Sequence, residues 1–134
     1  MTGTIVDSNV LLDILSHDPI WMEWSASTLE ELAQTSPLII NPVIYAEISY
    51  RYSRKEDLEL ALPRMVLQRE PISYDAAFLA AKVHVLYRKR RGTKHSPLPD
   101  FFIGAHAAIG GYSLLTRDPA RYRSYFPTVK LIAP

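Results

Sequence analysis

Cysteine is missing from the chain, which excludes a disulfide framework and any thiolate zinc site. The four histidines include no HxxxH pair, so an ion bound here would have to be held mainly by oxygen. Charge of one sign is also lacking: the formal net charge is +1, so a nucleic-acid partner must be held by a local patch rather than by bulk charge. No apolar run approaches the length of a membrane span or of a signal-peptide core, and Met1-Thr2-Gly3 opens without a basic region. A cytoplasmic protein with no membrane association is therefore expected. There is no low-complexity tract, internal repeat or linker-like stretch.

What remains is the composition of one globular domain. Apolar residues make up 48% and charged residues 22% of 134 residues, enough for a single hydrophobic core spanning 1–134. In "TIVDSNVLLDIL" (4–15) a β-branched run stops at Asp7-Ser8-Asn9, and Val10, Leu11, Ile14 and Leu15 continue at helical spacing. This reads as a buried strand followed at once by a helix. Asp18-Pro19 is expected to open a second helix with Ile20, Trp21, Trp24, Leu29 and Leu32 facing inward. "PLII" (37–40) reads as a strand, and Asn41-Pro42 caps a helix with Glu47 in its middle. "KEDLELALPRMVL" reads as a helix interrupted or bent at Pro63, and "PIS" (71–73) as a short edge strand. A strong helical period runs from Asp75 to Gly92, and a loop over 92–100 delivers Asp100 to the start of "FFIGAHAAIGG". "SLLT" (113–116) and "TVKLI" (128–132) are further strands, with "RDPARY" between them a turn. Short strands alternating with helices predict an α/β chain, a three-layer α/β/α sandwich around a central, mostly parallel sheet.

Asp7 and Asp118 follow short apolar strands, while Glu47 and Asp100 lie in or at the start of helices beside the sheet. Capping alone would account for Asp7 if it stood by itself. In open parallel sheets, however, ligand sites form at the carboxyl ends of the strands, where these loops meet. Four carboxylates in one cleft would repel one another unless a hard divalent cation such as Mg²⁺ or Mn²⁺ joined them. Such an ion suits phosphodiester hydrolysis. The densest positive run, "YRKRRGTKH" (87–95), precedes the loop to Asp100, so Arg88, Arg90, Arg91 and Lys94 are candidates for phosphate contacts, with Arg117 and Arg121 flanking Asp118. His106, on an alanine-rich helix face, is read as structural, and Trp21, Trp24, Tyr45 and Tyr50 as core or subunit interface.

Together "IVDSNVLLD", "NPVIYAEIS", "PDFFIGAHA" and "LLTRDPARY" resemble the four acidic motifs of PIN-domain ribonucleases, in particular the VapC-like toxins of toxin–antitoxin pairs. The resemblance runs in the family's order over residues 4–132. It implies that Asp7, Glu47, Asp100 and Asp118 are catalytic and bind Mg²⁺ or Mn²⁺, with Asn9 and Thr116 as supporting polar residues. It also implies a metal-dependent endoribonuclease acting on RNA, a cognate antitoxin and a homodimer. Asn41 and Ile44 stand where many relatives carry hydroxylic residues, and Gly104 where alanine is usual. Two other readings of the same scaffold are a non-catalytic nucleic-acid or protein-binding module and an aspartyl-phosphate phosphotransfer protein. The latter lacks a second acid near Asp7 and a strand-end lysine.

Overall fold

The computed structural model describes residues 3–62, 67–91 and 98–134, with the side chain of Arg91 left aside. In chain order the elements are β1 (Thr4–Val6), α1 (Ser8–Leu15), α2 (Met22–Ala33), β2 (Leu38–Ile40), α3 (Pro42–Ser49), α4 (Lys55–Ala61), β3 (Leu67–Arg69), α5 (Tyr74–Arg91), α6 (Leu98–Gly110), β4 (Ser113–Leu115), α7 (Ala120–Tyr125) and β5 (Leu131–Ile132). The strands form one sheet in the order β3-β2-β1-β4-β5, and each pairing is parallel. Helices cover both faces in an α/β/α arrangement. β1 and β2 are buried at every position, which is why they read as unbroken apolar runs rather than alternating ones.

Two features of this topology position the site. The strand order reverses between β1 and β4, and at such a switch point the connections leave in opposite directions and open a crevice at the carboxyl ends of the strands. Asp7 follows β1 and Thr116 follows β4, so the two residues stand on either side of it. The second feature is the α5–α6 hairpin. It packs Phe101 against Tyr87 and Tyr125 with ring centroids 5.5 Å apart in each case, tying the basic end of α5 to α7.

Several sequence expectations need correction. The edge strand is Leu67–Arg69, paired with β2 through Ile39 and Gln68, whereas residues 71–73 are a connection. Gln68 and Arg69 are exposed, so an edge strand here carries no apolar signature. The preceding helix ends at Ala61, and Pro63, its expected bend, lies outside the described residues. Asp18 makes a turn before the second helix: its Oδ1 accepts from the N–H groups of Ile20 and Trp21, both at 2.9 Å. The helix proper therefore starts at Met22, and Ile20 is left 77% exposed. α6 begins at Leu98, which places Asp100 inside its first turn. Of "RDPARY" (117–122), expected as a turn, residues 120–122 instead open α7, and the last strand shortens to Leu131–Ile132. Trp21 and Trp24 are half-buried and meet edge to face at 6.2 Å. Tyr50 is 92% exposed and belongs to no core.

Gly104, buried in α6, stands where the chain has no room for a larger residue. A Cβ built there would lie 2.4 Å from the ring of Phe126. Gly104→Ala gains up to about 1 kcal/mol of helix preference but incurs about 1–3 kcal/mol of overpacking, so a net loss of stability is expected in urea unfolding. The loss should shrink in a Phe126→Leu background. An equal loss in both backgrounds would contradict the steric account.

Candidate active site

The backbone of Asp7 is held by the sheet itself: its N–H donates to Leu115 O at 2.9 Å, continuing the β1–β4 ladder one residue beyond β1. Asp7 is also the N-cap of α1, in extended geometry (φ −66°, ψ 152°), and its Oδ1 accepts from Ser8 N–H at 2.8 Å. Capping accounts for one oxygen only. The other, Oδ2, accepts from the Thr116 hydroxyl at 2.8 Å and the Tyr122 hydroxyl at 3.0 Å, with the Asn9 amide at 3.5 Å. The residue is 4% exposed. Burial is the main reason its carboxyl is pushed up to about 6; the charge of Asp100 pushes the same way, against the donors Thr116, Tyr122 and Ser8.

Thr116 has its hydroxyl proton on Asp7 and accepts in turn from Asp118 N–H at 3.1 Å and the Asn9 amide at 3.3 Å. Asn9 Oδ1 accepts from Arg117 N–H at 3.1 Å. The two supporting residues expected from sequence thus join α1 to the β4–α7 connection and fix the surroundings of Asp7. Glu47 reaches the same place from α3, where its Oε1 accepts from the Ser8 hydroxyl at 2.8 Å. Burial raises its pKa above the usual carboxylate value, and Asp100 adds to the rise while the Ser8 bond opposes it. The Tyr122 hydroxyl is raised well above the ordinary phenol value, first by burial and then by the charges of Asp7, Asp100 and Glu47. It remains a neutral donor.

Asp7, Glu47 and Asp100 therefore share one electrostatic field. Asp118 does not enter it in the same way: the residue is exposed, and it bonds to the cluster through its backbone N–H. Among the described residues, no three of His, Asp and Glu are gathered tightly enough to hold a metal ion as the side chains stand.

The expected cations divide into groups. Arg121, on the first turn of α7, places Nη1 2.5 Å from Asp100 Oδ2. Arg117, expected at the phosphate rim, instead gives Nε and Nη2 to the two oxygens of Asp13 at 2.8 and 3.0 Å, with its guanidinium 5.3 Å from the Trp21 ring centre. Asp13 is 2% exposed and also accepts from Ser25, so Arg117 clamps the β4–α7 connection to α1 and α2. Arg88 and Arg90 are exposed near the end of α5, and the Arg90 guanidinium stacks over Tyr125 of α7 at 5.6 Å. The Arg91 side chain and Lys94 lie outside the described residues. His106 is structural, as expected. Asn41 Oδ1 caps α3 by accepting from Ile44 N–H at 2.9 Å, so the amide nitrogen faces His106 Nδ1, also at 2.9 Å. The ring proton is thereby on Nε2, which donates to Glu70 at 3.1 Å, and Tyr112 donates to the other Glu70 oxygen at 2.7 Å. This buried network explains asparagine at position 41.

Two site residues escaped sequence reasoning. Ser8 is adjacent to Asp7, but its bond to Glu47 spans 39 residues. Tyr122 lies in a six-residue helix with no readable apolar period.

The PIN domain family model matches residues 4–126. No curated protein sequence matches the chain. Among solved structures, the VapBC2 complex of Rickettsia felis bound to a promoter DNA fragment superimposes with a TM-score of 0.73 at 19% identity, covering 98% of each chain. DNA-bound VapBC of Salmonella typhimurium gives 0.68 at 18% identity, over 99% of this chain and 98% of that one. VapBC-1 of nontypeable Haemophilus influenzae gives 0.67 at 16% identity, over 98% of each. At such identities the likeness speaks for the fold alone. The family match nevertheless takes in each of the four acidic motifs, and the chain belongs to the PIN domain family.

Proposed function

We propose that this chain is a divalent-metal-dependent endoribonuclease acting as the toxin of a toxin–antitoxin pair. The observation that carries the reading is the setting of Asp7: a buried carboxylate at the switch point of a parallel sheet, bonded only to neutral donors and repelled by Asp100. Among the described residues no cation pairs with it. A hard cation is the counter-charge such an oxygen set accepts, and Mg²⁺ keeps several waters while taking one or two carboxylates. Loosely gathered side chains are compatible with such a partly hydrated ion.

Asp7 and Asp100 would hold the ion, with Glu47 beside them, and Asp118 from the exposed side would orient water. When bound, Mg²⁺ or Mn²⁺ supplies a Lewis acid and makes water a nucleophile near neutral pH. Thr116 and Tyr122 donate to Asp7 Oδ2 and so fix the carboxylate's orientation, leaving Oδ1, which accepts only from Ser8 N–H, a lone pair for the ion; the Ser8 hydroxyl orients Glu47 in the same way. Arg88 and Arg90, the latter held beside α7 by its stack over Tyr125, would neutralise RNA phosphates that the carboxylates repel, with Arg91 and Lys94 continuing the run. One solved structure of the same fold is a toxin–antitoxin complex from Klebsiella pneumoniae, which supports an antitoxin partner for this chain. Tyr74, Phe78 and Val85 expose apolar surface at helical spacing along α5, a face suited to a second copy in a homodimer. Among the described residues no helix is long and apolar enough to cross a membrane, in keeping with a cytoplasmic toxin.

Asp7→Asn and Asp100→Asn should each abolish Mn²⁺-dependent cleavage of single-stranded RNA while leaving the circular dichroism spectrum native. Cleavage retained by either variant in a nuclease-free preparation would refute the assignment and favour the non-catalytic binding module.

Stability gives a second check. A carboxyl raised from 3.8 to about 6 on folding contributes stability below pH 4 that is lost as pH rises through 6, on the order of 3 kcal/mol for this group. In chelator at pH 7, Asp7→Asn should therefore melt no lower than wild type. Millimolar Mn²⁺ should raise the wild-type melting temperature and leave the variant nearly unmoved. Equal shifts in the two proteins would remove Asp7 from the ion.

Replacing Arg90 and Arg91 by Ala should weaken binding of single-stranded RNA and lower its salt slope by about 1.4, roughly 0.7 for each guanidinium that no longer neutralises a phosphate. An unchanged slope would return them to a solvated helix end.

A further inference from the structure

We propose that Arg121 is an internal counter-ion to the acidic cleft, occupying Asp100 until a divalent cation displaces it, and so sets how tightly the protein binds metal. The proposal rests on the reading of Asp7 and Asp100 as metal-holding residues. Asp100 is the carboxylate whose charge is felt by both Asp7 and Glu47. Left bare, it would repel two groups that burial already disfavours as anions. Arg121 answers that repulsion: its Nη1 lies 2.5 Å from Asp100 Oδ2, and among the described residues it is the one cation paired with any of these three acids.

The pair is built to be broken. Its side chains are 40% and 31% exposed, so separating them strands neither charge in the core, and an exposed ion pair holds only weakly. Arg121 sits directly before Tyr122, whose hydroxyl is fixed on Asp7, and α7 is anchored further by the burial of Tyr122 and Phe126. The backbone at Arg121 is thus fixed while its long side chain is free to swing. The contrast with Arg117 supports the distinction. That guanidinium gives two bonds to a buried aspartate and stacks on Trp21, whereas Arg121 gives one bond to a half-exposed aspartate.

A divalent ion arriving at Asp100 meets a guanidinium already there, and the two positive charges cannot share that oxygen. Metal binding therefore includes breaking the Arg121–Asp100 pair, and the freed guanidinium stays at the mouth of the cleft.

The test is Mn²⁺ titration by calorimetry, with melting in chelator and in Mn²⁺, on wild type, Arg121→Ala and Arg121→Lys at neutral pH. Arg121→Ala should bind Mn²⁺ about three- to tenfold more tightly, the range expected from losing a weak ion pair and its repulsion of the incoming ion. It should also melt lower than wild type in chelator yet show a larger Mn²⁺-induced rise. Arg121→Lys, which keeps the charge, should lie near wild type. Mn²⁺ binding by Arg121→Ala that is equal to or weaker than wild type would overturn the proposal while leaving the metal site standing. Failure of all three proteins to bind Mn²⁺ would overturn both.

Discussion

The site depends on one constraint, the burial of a single carboxylate at the place where the sheet changes direction. Asp7 is fixed there by its backbone bond to Leu115 and by the helix that starts at the next residue. Every neighbour that touches its side chain is a neutral donor: Ser8 N–H, the Asn9 amide, and the Thr116 and Tyr122 hydroxyls. These orient the carboxylate without neutralising its charge, and Oδ1, with Ser8 N–H as its one donor, keeps a lone pair. A carboxylate so placed binds a proton more readily than one in water, and the same electrostatic demand favours a metal ion.

Much of the remaining polar architecture serves that arrangement from a distance. Asn9 and Arg117 hold the β4–α7 connection, which presents Thr116 and then Tyr122. Asp13 and Ser25 hold Arg117 in turn. On the other side, Asn41 starts α3 in the correct register for Glu47 to reach Ser8, and is itself held by His106 and Glu70. Both networks are closed; no buried side-chain polar atom among the described residues lacks a hydrogen-bond partner. They tie down the buried side of the cleft, while Arg121, Asp100 and Asp118 lie at its more exposed edge.

The legible parts of the molecule were those with a local signature. Asp7 after a buried strand, Asn41-Pro42 before a helix and Asp100 after a proline-rich loop each mark a junction by residue type alone. The sheet order and its switch point then bring Asp7, Glu47 and Asp100 into one field, as expected from acids beside a parallel sheet. Illegible parts had signatures that were weak or pointed elsewhere. β3 is an edge strand with two exposed polar residues, so the apolar pattern that identifies β1 and β2 does not apply. α7 has six residues and follows Asp118-Pro119, a sequence equally suited to a turn, which hid Tyr122. The pairing of Arg117 with Asp13 spans 104 residues and has no sequence trace. Both arginines beside Asp118 read as equivalent cations, yet one is structural and the other faces the cleft.

The claim at the centre of this account is that Asp7 and Asp100 hold one divalent ion between them. Diffraction from crystals grown with Mn²⁺, collected near the manganese absorption edge, tests it without reference to any RNA target. The account predicts an anomalous peak bonded to carboxylate oxygens of Asp7 and Asp100, completed by waters, with the Arg121 guanidinium withdrawn from Asp100. A peak away from Asp7, or no peak in the cleft while Arg121 still occupies Asp100 at saturating Mn²⁺, would contradict it.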